Sequence, residues 1–313
     1  METLPTLRIQ VKIRASLEAI YQALTTPSAL TAWLAESAEV DLGAGKFLFW
    51  GKYTPANPSQ NSSHMTLIDH KVDRLLKFTW KIADNPTTVT IKLRAFDNET
   101  TALTVIQERG SQLHHQEHTY TLEDFWFLHL ENLRRYLDGK PSEARVDFSQ
   151  PMNGNIRHVL DSTATPEQIY DVLTNPRLVE RWIASEAKVD LKKGGDYDLG
   201  WGVDGIKIVD FDENRKFSIS WSEGEDDLTT VTWQLEASHG KTHITFTHSG
   251  FDDDHRNDGI WTGWMNFLNW IRSVAEYGIE WQPPAIPLKD NPYAQIYPKS
   301  MHDAQADLEL LEL

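Results

Sequence analysis

The chain has 313 residues, is 40% hydrophobic and 24% charged, lacks cysteine and carries a formal net charge of −16. That length favours two domains, and the missing cysteine excludes disulfides, thiolate metal sites and a cysteine nucleophile. The charge argues against sequence-independent binding of nucleic acid or of an anionic membrane, both of which need a basic surface.

No apolar run reaches the roughly 18–20 residues of a bilayer-spanning helix, and the first residues lack a signal-peptide core. The expectation is therefore a soluble, cytoplasmic protein with no membrane partner.

In chain order, a strand is predicted over Leu7–Ile13 and then a short helix holding Ile20, Tyr21 and Leu24. Pro27 opens a second short helix that ends at Trp33-Leu34-Ala35. About six segments of period-two patterning follow, among them KFLFW, LLKFTW, TTVTIKLRA and TALTVIQ. A long helix closes the series, with Phe125, Leu128, Leu130, Leu133 and Leu137 at helical spacing. Residues 138–154, with Gly139, Pro141, Ser142, Pro151, Asn153 and Gly154, read as a linker.

The series then starts again. Ile20-Tyr21, Pro27, Leu30, Trp33 and Val40-Asp41-Leu42 return as Ile169-Tyr170, Pro176, Val179, Trp182 and Val189-Asp190-Leu191. Trp50-Gly51 returns as Trp201-Gly202, TTVTIKL as TTVTWQL, and Trp126, Leu130 and Leu133 as Trp264, Leu268 and Ile271. A long period present twice is a duplicated domain, not a solenoid. The expected boundaries are 1–146 and 147–282, with an extension over 283–313 whose Pro-rich start is extended. Its last residues, Ala304 to Leu313, either form a short acidic helix or fray.

The copies differ in charge. Residues 1–148 hold 18 acidic and 16 basic side chains, net −2, and residues 149–313 hold 28 and 14, net −14. The second copy and its extension also hold eight of the twelve tryptophans. The extra four, Trp233, Trp261, Trp270 and Trp281, mark either a larger aromatic pocket in copy two or an aromatic interface.

Two features carry a family resemblance: the Pro-x-x-Leu-x-x-Trp element after the first helix, and the glycine followed by a Trp-x-x-x-Leu-x-x-Leu helix. On these the chain resembles the SRPBCC superfamily, the START and Bet v 1-like proteins. Within it the chain is most similar to relatives of the C-terminal domain of activator of Hsp90 ATPase, over residues 7–138 and 155–278. The resemblance implies an α+β fold of tandem helix-grip domains, each a curved antiparallel sheet wrapped around a long C-terminal helix. It also implies a cavity between sheet and helix, the default site for a small hydrophobic ligand.

Strand parity selects the side chains expected to face that cavity. In copy one these include Phe78, Trp80, Ile106 and Glu108, and in copy two Trp221, Trp233, Phe246 and His248. Trp33, Trp126, Trp182 and Trp264 complete the candidate ligand-binding set. Glu108 and His248 are expected at matching places, set by aligning Gly110 with Gly250, where a lone polar group would orient a ligand or act as a general acid or base. The bland alternative is a hydrogen-bonded, inert residue, and for the repeated tryptophans it is core packing.

His114, His115 and His118 read as a solvated loop, Asp252–Asp254 with His255 and Asp258 as a charged loop before the last helix, and Glu223–Asp227 as a hairpin turn. No metal or cofactor is therefore expected. The leading expectation is a binding protein for a small hydrophobic or amphipathic molecule. A cyclase- or hydrolase-type enzyme using Glu108 or His248 and a cofactor of an Hsp90-type chaperone are the alternatives. A second copy of the chain and a chaperone stay open as macromolecular partners.

Overall fold

The structure, a computed structural model, describes residues 6–83, 85–109, 116–202, 205–222, 228–289 and 291–309. It divides into two compact units, the first running to Pro151 and including Pro284–Ile286, the second made of Met152–Pro283 and Pro287 onward.

Unit one begins with β1 (Leu7–Ile13), followed by α1 (Leu17–Thr25) and α2 (Pro27–Trp33). Ser16 caps α1 by accepting the Ala19 N–H at 3.1 Å, Glu18 favours its positive end, and Pro27 opens α2 at a position that needs no N–H. Next come β2 (Ser37–Asp41), β3 (Lys46–Trp50), β4 (Met65–Lys71), β5 (Leu75–Ile82), β6 (Asn85–Ala95), β7 (Thr101–Arg109) and α3 (Gln116–Leu137). Five strands form an antiparallel sheet in the order β1-β7-β6-β5-β4, and β2 pairs with β3.

Unit two repeats this order. It comprises β8 (Ile156–Ser162), α4 (Pro166–Thr174), α5 (Pro176–Trp182), β9 (Lys188–Val189), β10 (Tyr197–Asp198), β11 (Ile208–Asp212), β12 (Lys216–Ser222), β13 (Leu228–Ser238), β14 (Lys241–Ser249) and α6 (Asp258–Tyr277). Its sheet has the order β11-β12-β13-β14-β8. Thr165 and Gln168 form a reciprocal capping box at the start of α4. The extension adds α7 (Lys299–Glu309), so the tail expected to be helical or frayed is helical to 309, and 310–313 lie outside the described residues.

Both edge strands carry the same irregularity. The register slips at Ile68 in β4 and at Val209 in β11, leaving Ile68 50% and Val209 40% exposed. A bulge there twists the edge and blunts it against pairing with other chains. At the opposite edge of unit one, Ala285 exchanges two 2.8 Å backbone hydrogen bonds with Gln10 of β1.

The core of each unit lies between its sheet and its long helix. Leu76, Phe78 and Trp80, Val89, Ile91 and Leu93, and Leu103 and Val105 face Phe125, Trp126, Leu130 and Leu133 in unit one. Phe217, Ile219, Val231, Trp233, Leu235, Ile244 and Phe246 face Trp264, Leu268, Ile271 and Val274 in unit two.

Strand β7 corrects the predicted parity. Leu103, Val105 and Gln107 are the buried set, Ile106 is half-buried on the other face, and Glu108 is exposed. Aligning Gly110 with Gly250 moved the register by one residue, and in a strand one residue exchanges the faces. Opposite Val89 stands Gln107, and opposite Val231 stands His248, so Gln107 and not Glu108 is the counterpart of His248.

The units cap their second short helix by different means. In unit one the Arg145 guanidinium donates to the carbonyls of Thr31, Ala32 and Ala35 at 2.8, 2.5 and 3.1 Å. In unit two the Lys299 N–H donates to the Ala184 carbonyl at 2.8 Å and the Ser300 hydroxyl to that of Arg181 at 2.6 Å. The start of α7 thus does at α5 what one side chain does at α2, and Lys299 adds an ion pair to Glu180 at 3.1 Å. Arg145→Ala removes three donors from a largely buried helix end and is expected to destabilise unit one by about 2–4 kcal/mol, measured as a shift in its urea unfolding transition.

Candidate functional site

The buried polar group on the last strand before each long helix is the starting point. His248 on β14 has no exposed surface. Trp264 on α6 donates its indole Nε1–H to His248 Nδ1 at 3.0 Å, and His248 Nε2 lies 2.7 Å from Thr229 Oγ1 on β13. An indole can only donate, so Nδ1 accepts and the ring proton sits on Nε2, which donates to the threonine oxygen. The Thr229 hydroxyl in turn donates to the Trp221 carbonyl on β12 at 2.9 Å.

Unit one builds the same chain of bonds with a different middle member. Trp126 Nε1–H donates to Gln107 Oε1 at 2.8 Å, Gln107 Nε2–H to Thr87 Oγ1 at 3.0 Å, and the Thr87 hydroxyl to the Trp80 carbonyl at 2.7 Å. In both units an indole on the long helix is therefore wired through an amide or imidazole and a threonine to the backbone of the strand carrying Trp80 or Trp221. Gly250 helps this approach: with φ +110° it ends β14 so close to Thr229 that an added Cβ would lie 3.2 Å from the Thr229 Cα.

This relay removes the chemistry expected of the polar pair. Both nitrogens of His248 are engaged within the chain, and burial pushes its pKa down to about 4. Glu108 lies exposed on the other face of β7.

The tryptophans of the candidate set fall into two groups. Trp33 and Trp182 have no exposed surface and donate to the Ala23 and Val172 carbonyls at 3.0 and 3.1 Å, which ties α2 to α1 and α5 to α4. The others form ring clusters. Trp80 lies 5.5, 5.3 and 6.2 Å from Phe49, Phe125 and Trp126, and Phe78 lies 4.9 Å from Phe47. Trp233 lies 6.1, 6.1, 5.7 and 6.0 Å from Trp182, Phe217, Phe246 and Trp264. Of the extra tryptophans, Trp233 thus belongs to the interior of unit two, and Trp270 packs on Trp281 at 5.9 Å. The indole N–H groups of Trp80 and Trp233 have no oxygen or nitrogen partner, and the edge-on rings around them offer π faces instead.

The two clusters differ at the end near the start of the long helix. In unit one Trp80 has no exposed surface, and the connection 51–64 is pinned beside its strand by the Lys81 N–H to the His64 carbonyl at 2.7 Å. His64 also bonds the Phe49 carbonyl through Nε2 at 2.8 Å. The connection from β10 to β11 is the shorter 199–207, and Trp221, the counterpart of Trp80, is half-buried. Trp221 stands edge-on to half-buried Trp201 at 5.8 Å and to Trp264 at 5.1 Å, and half-buried Phe251 lies 4.6 Å from His248. Trp221 and Phe251, with Trp201 against Trp221, thus bring half-buried rings to the relay, and this ring cluster is the aromatic mouth of unit two.

The remaining sequence candidates lie elsewhere. Helix α3 begins at Gln116, so His118 belongs to it, whereas His114, His115 and Glu223–Asp227 lie outside the described residues. Among the described residues no group of three metal-ligating side chains comes together. An open groove of about 420 Å³ lies against β9 and β10, but its charged walls are ion-paired, Lys207 with Asp196 and Lys188 with Asp198. No described helix is long and apolar enough to cross a membrane.

The family model for "Activator of Hsp90 ATPase homolog 1-like protein" matches residues 14–138 and 163–276. The chain belongs to that family. Both units are helix-grip domains of the α+β type. No curated protein sequence matches it. Among solved structures, the Aha1 dimer from Colwellia psychrerythraea is 23% identical, with 40% of this chain and 97% of that chain covered and a TM-score of 0.37. An HSP90 activator from Plasmodium falciparum is 22% identical, with coverages of 39% and 96% and a TM-score of 0.35. DynU16, a putative protein in the dynemicin biosynthetic locus, is 17% identical, with coverages of 86% and 98% and a TM-score of 0.34.

The relay makes a stability prediction with a definite sign. His248 has its folded-state pKa depressed from 6.5 to about 4, so the unfolded chain binds the extra proton between those values. Its contribution is complete above pH 6.5 and falls by about 3 kcal/mol as the pH drops to 4. Gln107→Ala is expected to cost unit one about 2–4 kcal/mol at neutral pH. Gln107→His is expected to cost less than about 1 kcal/mol, because imidazole supplies the same acceptor and donor. Urea unfolding at pH 7 compares the two variants.

Proposed function

We propose that this family member binds a small hydrophobic or amphipathic molecule at the aromatic mouth of its second unit, without catalysis. The observation that carries the reading is the half-buried Trp221, whose counterpart Trp80 is wholly covered. Three half-buried rings beside a neutral relay suit a flat apolar ligand with limited polarity. The first unit, whose Trp80 has no exposed surface, serves mainly as a folded domain. The engaged nitrogens of His248 and the exposed Glu108 support binding over a cyclase or hydrolase reaction.

A second reading, recruitment to an Hsp90-type chaperone, draws its support from the family match. Saturable stimulation of the chaperone's ATP hydrolysis by the full chain is its expected sign, and an unchanged rate removes it.

For the ligand site the probe is N-phenyl-1-naphthylamine, a neutral fluorescent amphiphile. One saturable site per chain is expected, weakened at least about tenfold by Trp201→Ala or Trp221→Ala and unaffected by Trp50→Ala. Absence of saturable binding, or equal loss on Trp50→Ala, overturns the assignment.

A further inference from the structure

We propose that the Trp264–His248–Thr229 relay is an acid-operated latch on the mouth of the second unit: a proton taken up by His248 breaks the hydrogen bond that holds Trp264 and loosens the ligand site. The inference rests on reading that mouth as the ligand site, and it names how the site is regulated.

The argument is one of proton positions. His248 Nε2 already carries the ring hydrogen it donates to Thr229, and Nδ1 accepts from the Trp264 indole. A second proton has only Nδ1 to occupy. There it faces the indole N–H, two donors at what had been a 3.0 Å hydrogen bond. One of the two groups must turn away. Trp264 forms the back of the mouth, 5.1 Å from Trp221 and 4.7 Å from Phe246, so its displacement disturbs the rings that a ligand would touch.

The elements packed on His248 present Thr229 and Val231 from β13, Trp221 from β12, Ile156 from β8, Trp264 from α6 and Phe251 from the following loop. None of these is a carboxylate that would hold an imidazolium in place. The titratable side chains that follow on that loop are Asp252, Asp253, Asp254 and His255, all exposed, with His255 stacked on Phe251 at 5.1 Å.

The first unit is an internal control. Gln107 makes the same two bonds and takes up no proton in this range. His158, buried on β8 with its Nε2 2.8 Å from the Trp261 carbonyl, also has its pKa lowered to about 4 by burial. The decisive comparison is therefore between His248 and glutamine, with His158 left in place.

The experiment follows the indole ¹H–¹⁵N resonance of Trp264 in the full chain, assigned by its loss in Trp264→Phe, together with N-phenyl-1-naphthylamine affinity from pH 7 to 3. Far-UV circular dichroism verifies that the fold persists. In the wild-type chain the resonance is expected to move with a single titration and the affinity to fall at least fivefold. In His248→Gln each quantity is expected to stay within twofold of, or unshifted from, its own value at pH 7. Gln107→His is expected to give the Trp126 indole the same titration. A Trp264 resonance that does not titrate in the wild type, or that titrates alike in His248→Gln, overturns the latch. Failure of the probe to bind at pH 7 overturns the site, and the indole titration still decides the latch.

Discussion

Each unit depends on one constraint: a long helix laid across a sheet through apolar rings must be held at a single rotation. Ring contacts at 5–6 Å are individually worth about 0.5–1.5 kcal/mol and tolerate sliding. A buried indole N–H does not, because leaving it unpaired costs about 1–3 kcal/mol. The bond from Trp126 or Trp264 into the sheet therefore sets the helix, and the helix sets which rings are enclosed. Satisfying that bond needs an acceptor that also finds a donor site, which is why the middle position holds Gln107 or His248 and the next holds a threonine in both units.

Much of this was legible before any coordinates. The repeat, the strand and helix order and the α+β class follow from periodicity and from the positions of Pro27, Pro176, Trp33 and Trp182. Glu108 sits one residue from the counterpart of His248 because three positions separate Gln107 from Gly110 and two separate His248 from Gly250, whereas the TTVT segments and their strand neighbours mark Gln107. The relay itself was invisible, since Thr87 and Thr229 read as ordinary strand residues and nothing local marks a hydroxyl that bridges two strands. The roles of Arg145 and of the start of α7 were hidden for the same reason: helix capping from distant segments leaves no spacing signature.

Divergence after duplication is concentrated at the mouth and in charge. The connection before the second sheet's first strand is shorter in unit two, and Trp221 is half-buried where Trp80 has no exposed surface. Replacing the amide of Gln107 by the imidazole of His248 keeps the geometry and adds a titratable centre. The net −14 of residues 149–313 is carried largely on exposed side chains, such as those of Asp190, Asp196 and Asp212, and leaves the apolar interior untouched. The two copies thus differ in surface charge and in the exposure of Trp80 and Trp221 while sharing the same internal wiring.

The different capping of α2 and α5 has a consequence for synthesis on the ribosome. Arg145 leaves the exit tunnel soon after α3, so the first unit can close its helix end while the second is still being made. The cap of α5 arrives only with Lys299 and Ser300, close to the end of translation. Until then the second unit's carbonyls at Ala184 and Arg181 lack these donors. Chains ending before α7 would carry a finished first unit and a second unit recognisable to quality-control proteases by that open helix end.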